Sequence, residues 1–279
     1  LTVIFKLLAS FLLFILNQIK KIMSHFTVLC VTNNFEDVIE QLEPYCELEC
    51  SLSREEIKND HRATFVEETS TEELEKDFIR VKNDYPETYY ETIEEFAEEY
   101  HGYQKADDGE SWGRWTNPKS KWDWYSVGGR WSGTFKVKDK PKYPDDLFVG
   151  RPGAFDNKPP EGYVDSIRLC DIDFEGMKLD QISNAKNNWK EAQQKISKGD
   201  KTVYFMYGIS QDETEESYIE KHSKFTSYAL LKDGQWYAKG EMGWFGMSSD
   251  EKENWSEELD KLIKSLPEDT LLTIVDCHI

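Results

Sequence analysis

Asp269–Ile279 reads DTLLTIVDCHI, and this terminal stretch decides the fold. Leu271, Leu272, Ile274, Val275 and Cys277 make it a buried strand rather than a surface one. Immediately upstream, Trp255, Leu259, Leu262, Ile263 and Leu266 recur at helical spacing, with Ser248 or Ser249 as the cap and Pro267 as the stop. Before that, Ser227–Leu231 and Gln235–Lys239 flank Asp233-Gly234, the signature of a hairpin closed by a type I′ turn. At the other end, Ser24–Thr32 (SHFTVLCVT) is a β-branched apolar run broken by Asn33-Asn34, and it is the natural partner for the last strand.

The middle of the chain alternates in the same way. Phe35–Leu42 has a brief helical pattern ended by Pro44, and Ala63–Thr69 reads as a strand. Ser70 with Glu73 forms a capping box for a helix reaching Lys82. Ile93, Phe96, Ala97 and Tyr100 mark another helix with Gly102 as its stop. Residues 103–120 and 139–163 read as loops, and Thr134–Lys138 as a strand. Ile182, Ala185, Trp189 and Ile196 place a helix between an Asp180 cap and Gly199, and Thr202–Ile209 follows as a strand. Helices interspersed with strands predict an α+β fold: an antiparallel or mixed sheet with helices packed on one face, ferredoxin-like or related. Trp124-Tyr125, Gly128, Trp131 and Gly133 are echoed by Trp236-Tyr237, Gly240, Trp244 and Gly246, which suggests two repeat-related lobes, about 23–160 and 161–279, within one domain.

Composition limits the partners. The net charge of −20 excludes a broad electrostatic grip on nucleic acid or an anionic membrane, while leaving room for a small basic pocket. Aromatics at 14% separate this acidic chain from disordered ones, which keep few. The five cysteines show no CxxC spacing, and Cys46 with Cys50 lacks a second pair at zinc-module distance, so a reducing cytoplasm is expected. Cys30 and Cys277 sit inside apolar runs as buried thiols. Residues 1–22 (LTVIFKLLASFLLFILNQIKKI) are apolar but interrupted by Lys6 and lack the charge order of a signal peptide. They are read as translated upstream sequence in preference to a weak membrane anchor, with the fold beginning at Met23 and no membrane contact if they are not translated.

The opening MSHFTVLC, the WDWYSVGGRWSG passage (Trp122–Gly133), DIDFEGM (Asp171–Met177), KGEMGWFGM (Lys239–Met247) and the terminal DTLLTIVDCHI together resemble a family of uncharacterised proteins carried by bacteriophage and prophage genomes. The resemblance runs from Met23 to the end and implies a bacterial cytoplasmic setting and an accessory role, such as altering host metabolism or countering host defence. It implies no catalytic residues.

Two constellations carry chemistry. In the first, Gly128-Gly129 permits close backbone approach, Arg130 offers a fork for phosphate or carboxylate, and Trp124, Tyr125 and Trp131 offer stacking faces, with Arg114 nearby in sequence. This suits a small anionic or nucleotide-like ligand, although no phosphate-loop pattern is present. In the second, antiparallel pairing of the first and last strands would bring His25 to Asp276 and His278. Two imidazoles and a carboxylate suit a divalent transition metal or acid–base work, and Asp171 with Asp173, read as alternating strand residues, would add oxygen ligands. The leading expectation is a ligand-binding accessory protein. Its competitors are a metal-dependent hydrolase and an acidic protein that occupies a basic host partner.

Overall fold

The computed structural model describes residues 25–48, 54–86, 90–152, 158–242 and 248–279. The apolar segment 1–22, the start at Met23 and Ser24, Cys50, and the Trp244–Gly246 half of the second aromatic motif lie outside the described residues. The architecture is α+β with a mixed seven-stranded main sheet and small antiparallel sheets; no specific fold is identified. Among the described residues, no helix is long and apolar enough to cross a membrane.

Contacts divide the chain into two units. One comprises the residues up to Leu42 together with Trp124–Ile279, and the other is Glu43–Asp123. This division is by contacts, and it falls elsewhere than the residue-160 boundary suggested by the aromatic motifs.

The larger unit holds the main sheet. Its strands in chain order are β1 (His25–Thr32), β2 (Trp124–Gly129), β3 (Arg151–Pro152), β4 (Ser166–Arg168), β5 (Ala229–Lys232), β6 (Gln235–Ala238) and β7 (Leu271–His278). They lie in the order β6-β5-β1-β7-β2-β3, with β4 also pairing with β7. The anticipated partnership holds: β1 and β7 are antiparallel from His25↔His278 to Thr32↔Leu271. On the other side of β7, β4 takes Leu271–Thr273 and β2 takes Val275–His278. The β5–β6 hairpin turns at Asp233-Gly234 with φ of 51° and 69°, as a type I′ turn requires.

Both faces of this sheet are covered. On one face Leu29, Val31, Leu272 and Ile274 pack with Trp255, Leu259 and Ile263 of the helix Trp255–Lys264. On the other, Val28, Cys30, Val275 and Cys277 are equally buried, so β7 shows no polar/apolar alternation in exposure. Burial drives the Cys30 thiol pKa far up, which makes it inert.

Several expectations need correction. The long helix is Phe174–Ile196, capped by Asp173 and not Asp180, because Asp173 Oδ1 accepts the Gly176 N–H at 2.9 Å. Thr202–Met206 is a helical turn and not a strand: Asp200 accepts from the Thr202 N–H and hydroxyl, and Val203 is buried beside Ala185, Ala192 and Tyr218. The helix Trp255–Lys264 has Asn254 at its cap position, while Ser248–Ser249 pairs as a short strand with Glu241–Met242.

The smaller unit has its own core. Thr64–Ser70 and Gln104–Lys105 flank Ser111–Thr116 in an antiparallel sheet, two of these strands falling where a loop was expected. The Ser70/Glu73 capping box opens the helix Thr71–Asp84, and Leu74, Val81, Phe96, Ala97 and Trp112 pack together. Gly102 at φ 68° ends the turn that carries His101.

Ile274 is 1% exposed at the centre of the main sheet. Ile274→Ala should lower stability by about 2–5 kcal/mol, read as a reduced urea midpoint at unchanged slope. A loss below about 1 kcal/mol would mean that β7 is not the central strand.

Candidate functional site

The β1–β7–β2 register sets the site. Alternation puts His25 and Thr27 of β1, Asp276 and His278 of β7, and Trp124 and Ser126 of β2 on one face. His25 Nδ1 donates to Asp276 Oδ1 at 2.7 Å, which leaves the imidazole lone pair on Nε2. The His278 ring meets the His25 ring edge-on with centroids 4.9 Å apart, and the Trp124 ring lies 5.8 Å from His25.

The Gly-Gly loop closes over this pair. Gly128 and Gly129 have φ of 75° and 51°, a conformation that glycine adopts without strain. A Cβ on Gly129 would land on the Asp276 carboxylate, and one on Gly128 would land on that of Asp165. The tight turn lets the Arg130 backbone N–H donate to Asp276 Oδ2 at 2.9 Å. Asp165 in turn accepts from Ser132 Oγ at 2.8 Å, Gly133 N at 2.5 Å and Gly150 N at 2.8 Å. Both carboxylates are buried, and each is satisfied by several donors, as burial of charge demands. Sequence reasoning missed Asp165; its signal is an acidic residue lodged inside the apolar run Tyr163–Ile167.

Above them opens a cleft of about 590 Å³ lined by His25, Trp124, Arg130, Arg151, Asp276 and His278. Arg151, also missed from sequence, arrives because β3 pairs in parallel with the end of β2, Gly128 facing Arg151. Among the described residues, two arginines therefore line a cleft with one carboxylate, which is already hydrogen-bonded to protein. Burial lowers the His25 pKa below the ordinary 6.5; the Asp276 hydrogen bond and charge oppose this, and the charges of Arg130 and His278 reinforce it. His25 is accordingly a neutral imidazole at neutral pH. The cleft sets two guanidinium groups and an oriented imidazole within one small volume, chemistry that suits an anion.

The remaining candidates go elsewhere. Tyr125 faces Cys277, so alternation turns it to the opposite face of the sheet from Trp124. Trp131 lines a neighbouring cleft. Arg114 belongs to the smaller unit, where it pairs with Glu68 at 3.5 Å and lies 5.2 Å from the Tyr103 ring. Asp171 and Asp173 are not strand neighbours. Asp171 ends the 3₁₀ turn Leu169–Asp171 and accepts the N–H groups of Lys142 and Tyr143, while Asp173 caps a helix. Neither carboxylate faces His25. Among the described residues, no three His, Cys, Asp or Glu side chains converge with metal-ligand spacing. The chain matches no protein-family model, no curated protein and no solved structure.

Gly129→Ala should destabilise the protein by more than Gly162→Ala. Both positions have positive φ, worth about 1–2 kcal/mol of strain to alanine, but only at Gly129 does the new methyl strike a buried carboxylate. Equal losses in chemical denaturation would refute the close packing of the loop on Asp276. A second expectation concerns pH. The unfolded chain protonates His25 before the folded one does, so stability is highest above 6.5 and declines as pH falls from 6.5 through the lower folded value. The urea midpoint should therefore drop further between about pH 8 and about pH 5 in the wild type than in His25→Gln. Parallel curves would show that His25 does not titrate in that window.

Proposed function

We propose that the cleft between β1, β7, β2 and β3 holds a small anionic molecule, such as a phosphate or a phosphate ester. One observation carries this reading: in a chain of net charge −20, Arg130 and Arg151 are gathered at one cleft where, among the described residues, the one lining carboxylate, Asp276, is occupied by His25 and the Arg130 N–H. Trp124, 52% exposed at the rim, adds a ring face beside the arginines. The resemblance to phage-borne proteins fits an accessory role in which such a ligand belongs to host metabolism or defence signalling. The metal-hydrolase alternative is weaker, because the Asp276 oxygens and His25 Nδ1 are engaged with one another and with backbone.

Titration calorimetry with inorganic phosphate and pyrophosphate should detect binding that weakens as salt rises. Arg151→Ala removes an exposed side chain and should leave the fold intact while lowering affinity about tenfold or more, the worth of a charge-assisted hydrogen bond. Undiminished affinity in that variant, or no heat with either anion, would end the proposal.

A further inference from the structure

A second cleft, of about 600 Å³, opens on the same face of the sheet. Thr27 and Ile274 line it, each two residues along its strand from His25 and Asp276, so strand alternation sets both clefts side by side on one surface. The loop after β2 is their shared wall. Gly129 and Arg130 line the first cleft, while Trp131, Gly133 and Thr134 line the second. Consecutive Cα atoms are about 3.8 Å apart, so the two clefts meet at the Arg130–Trp131 peptide.

The chemistry of the two clefts differs. In the second, Trp131 keeps 36% of its surface exposed, and the helix Phe174–Ile196 contributes Gln181 and Asn184 from adjacent turns. Each amide carries both donors and an acceptor, and neither side chain makes a hydrogen bond among the described residues. The acidic residue at this cleft, Asp180, is engaged by Lys136 Nζ at 2.6 Å and by the Tyr163 hydroxyl at 2.5 Å. An aromatic face with neutral amide edges recognises a flat ring that has its own donors and acceptors. A cationic cleft one residue away recognises a phosphate.

We infer that the two clefts form one bipartite site for a nucleoside phosphate. The phosphate sits with Arg130 and Arg151, and the base stacks on Trp131 and pairs its edge with Gln181 and Asn184. This rests on the anion-binding reading above and adds the class of molecule that the anion belongs to. It also gives a use to Trp131, the tryptophan of the WDWYSVGGRWSG passage that is partly exposed and lies outside the first cleft.

The test is titration calorimetry of the whole chain against inorganic phosphate, ribose 5-phosphate, the four common ribonucleoside monophosphates and the corresponding nucleosides. At least one nucleoside monophosphate should bind about tenfold or more tightly than ribose 5-phosphate, the gain expected from stacking one base. Trp131→Ala should erase that advantage and leave the affinity for inorganic phosphate unchanged. Gln181→Ala and Asn184→Ala should alter the preference among bases, with circular dichroism confirming the fold of each variant. Equal binding of ribose 5-phosphate and every nucleotide, or a Trp131→Ala variant that keeps the nucleotide advantage, overturns the bipartite site while sparing the anion cleft. Failure of phosphate and nucleotides alike overturns both.

Discussion

The β1–β7 ladder is the constraint on which the rest depends. It joins residues some 250 positions apart, from His25↔His278 to Thr32↔Leu271, in one unbroken antiparallel register. A one-residue slip would turn Ile274 out of its layer and carry Asp276 to the opposite face from His25. The register is held by apolar burial along most of its length, since Val28, Leu29, Ile274 and Val275 are all at or below 1% exposure. The His25–Asp276 bond is then a consequence of the core rather than its cause: the hydrophobic part of the ladder sets the alignment, and the polar end inherits it.

Placing a carboxylate at the end of such a ladder carries an electrostatic cost that only hydrogen bonds can offset. Asp276 meets it with an imidazole and a backbone N–H, and the N–H is available because two successive glycines bend the chain back over β7. Asp165 performs the matching task on the other side of the same loop, gathering donors from Ser132, Gly133 and Gly150. The loop is thus held between two buried acids. Its rigidity presents Arg130 to one cleft and Trp131 to the next, in the way that a rigid scaffold presents functional loop residues.

How much of this could be read in advance varies with the kind of signal. The terminal strands, the β5–β6 hairpin and the Ser70 capping box were legible because each is encoded by local pattern: apolar runs, Asp-Gly, and Ser with Glu three residues on. Thr202–Met206 was misread because Thr, Val, Tyr and Phe favour strands, and that preference lost to the Asp200 hydrogen bonds and the burial of Val203. Ser111–Thr116 was hidden by its Gly113, which permits close approach to Val66 of the neighbouring strand. At the site, His25 with Asp276 followed from pairing and alternation alone. The union of that pair with the Gly-Gly-Arg loop did not, because it requires β2 to lie beside β7, and no sequence pattern names that neighbour. Arg151 was invisible for the same reason: β3 is two residues long and is defined only by the strand it joins.

The overall charge and the local charge of the cleft act at different ranges. A net charge of −20 repels any approaching anion, but at physiological ionic strength that field is damped over about 8 Å. Inside the cleft, Arg130 and Arg151 would act on the proposed ligand at contact distance, where screening is least effective. On the proposed reading, a small anion would cross the repulsive layer once and meet the arginines at contact distance. A polyanion such as nucleic acid would keep most of its phosphates against the acidic exterior, and each of those would oppose binding. If the cleft takes an anion as proposed, the same charge distribution that opposes a long phosphate chain would admit one short phosphate group, and the acidity of the chain would act as a size filter on its ligands.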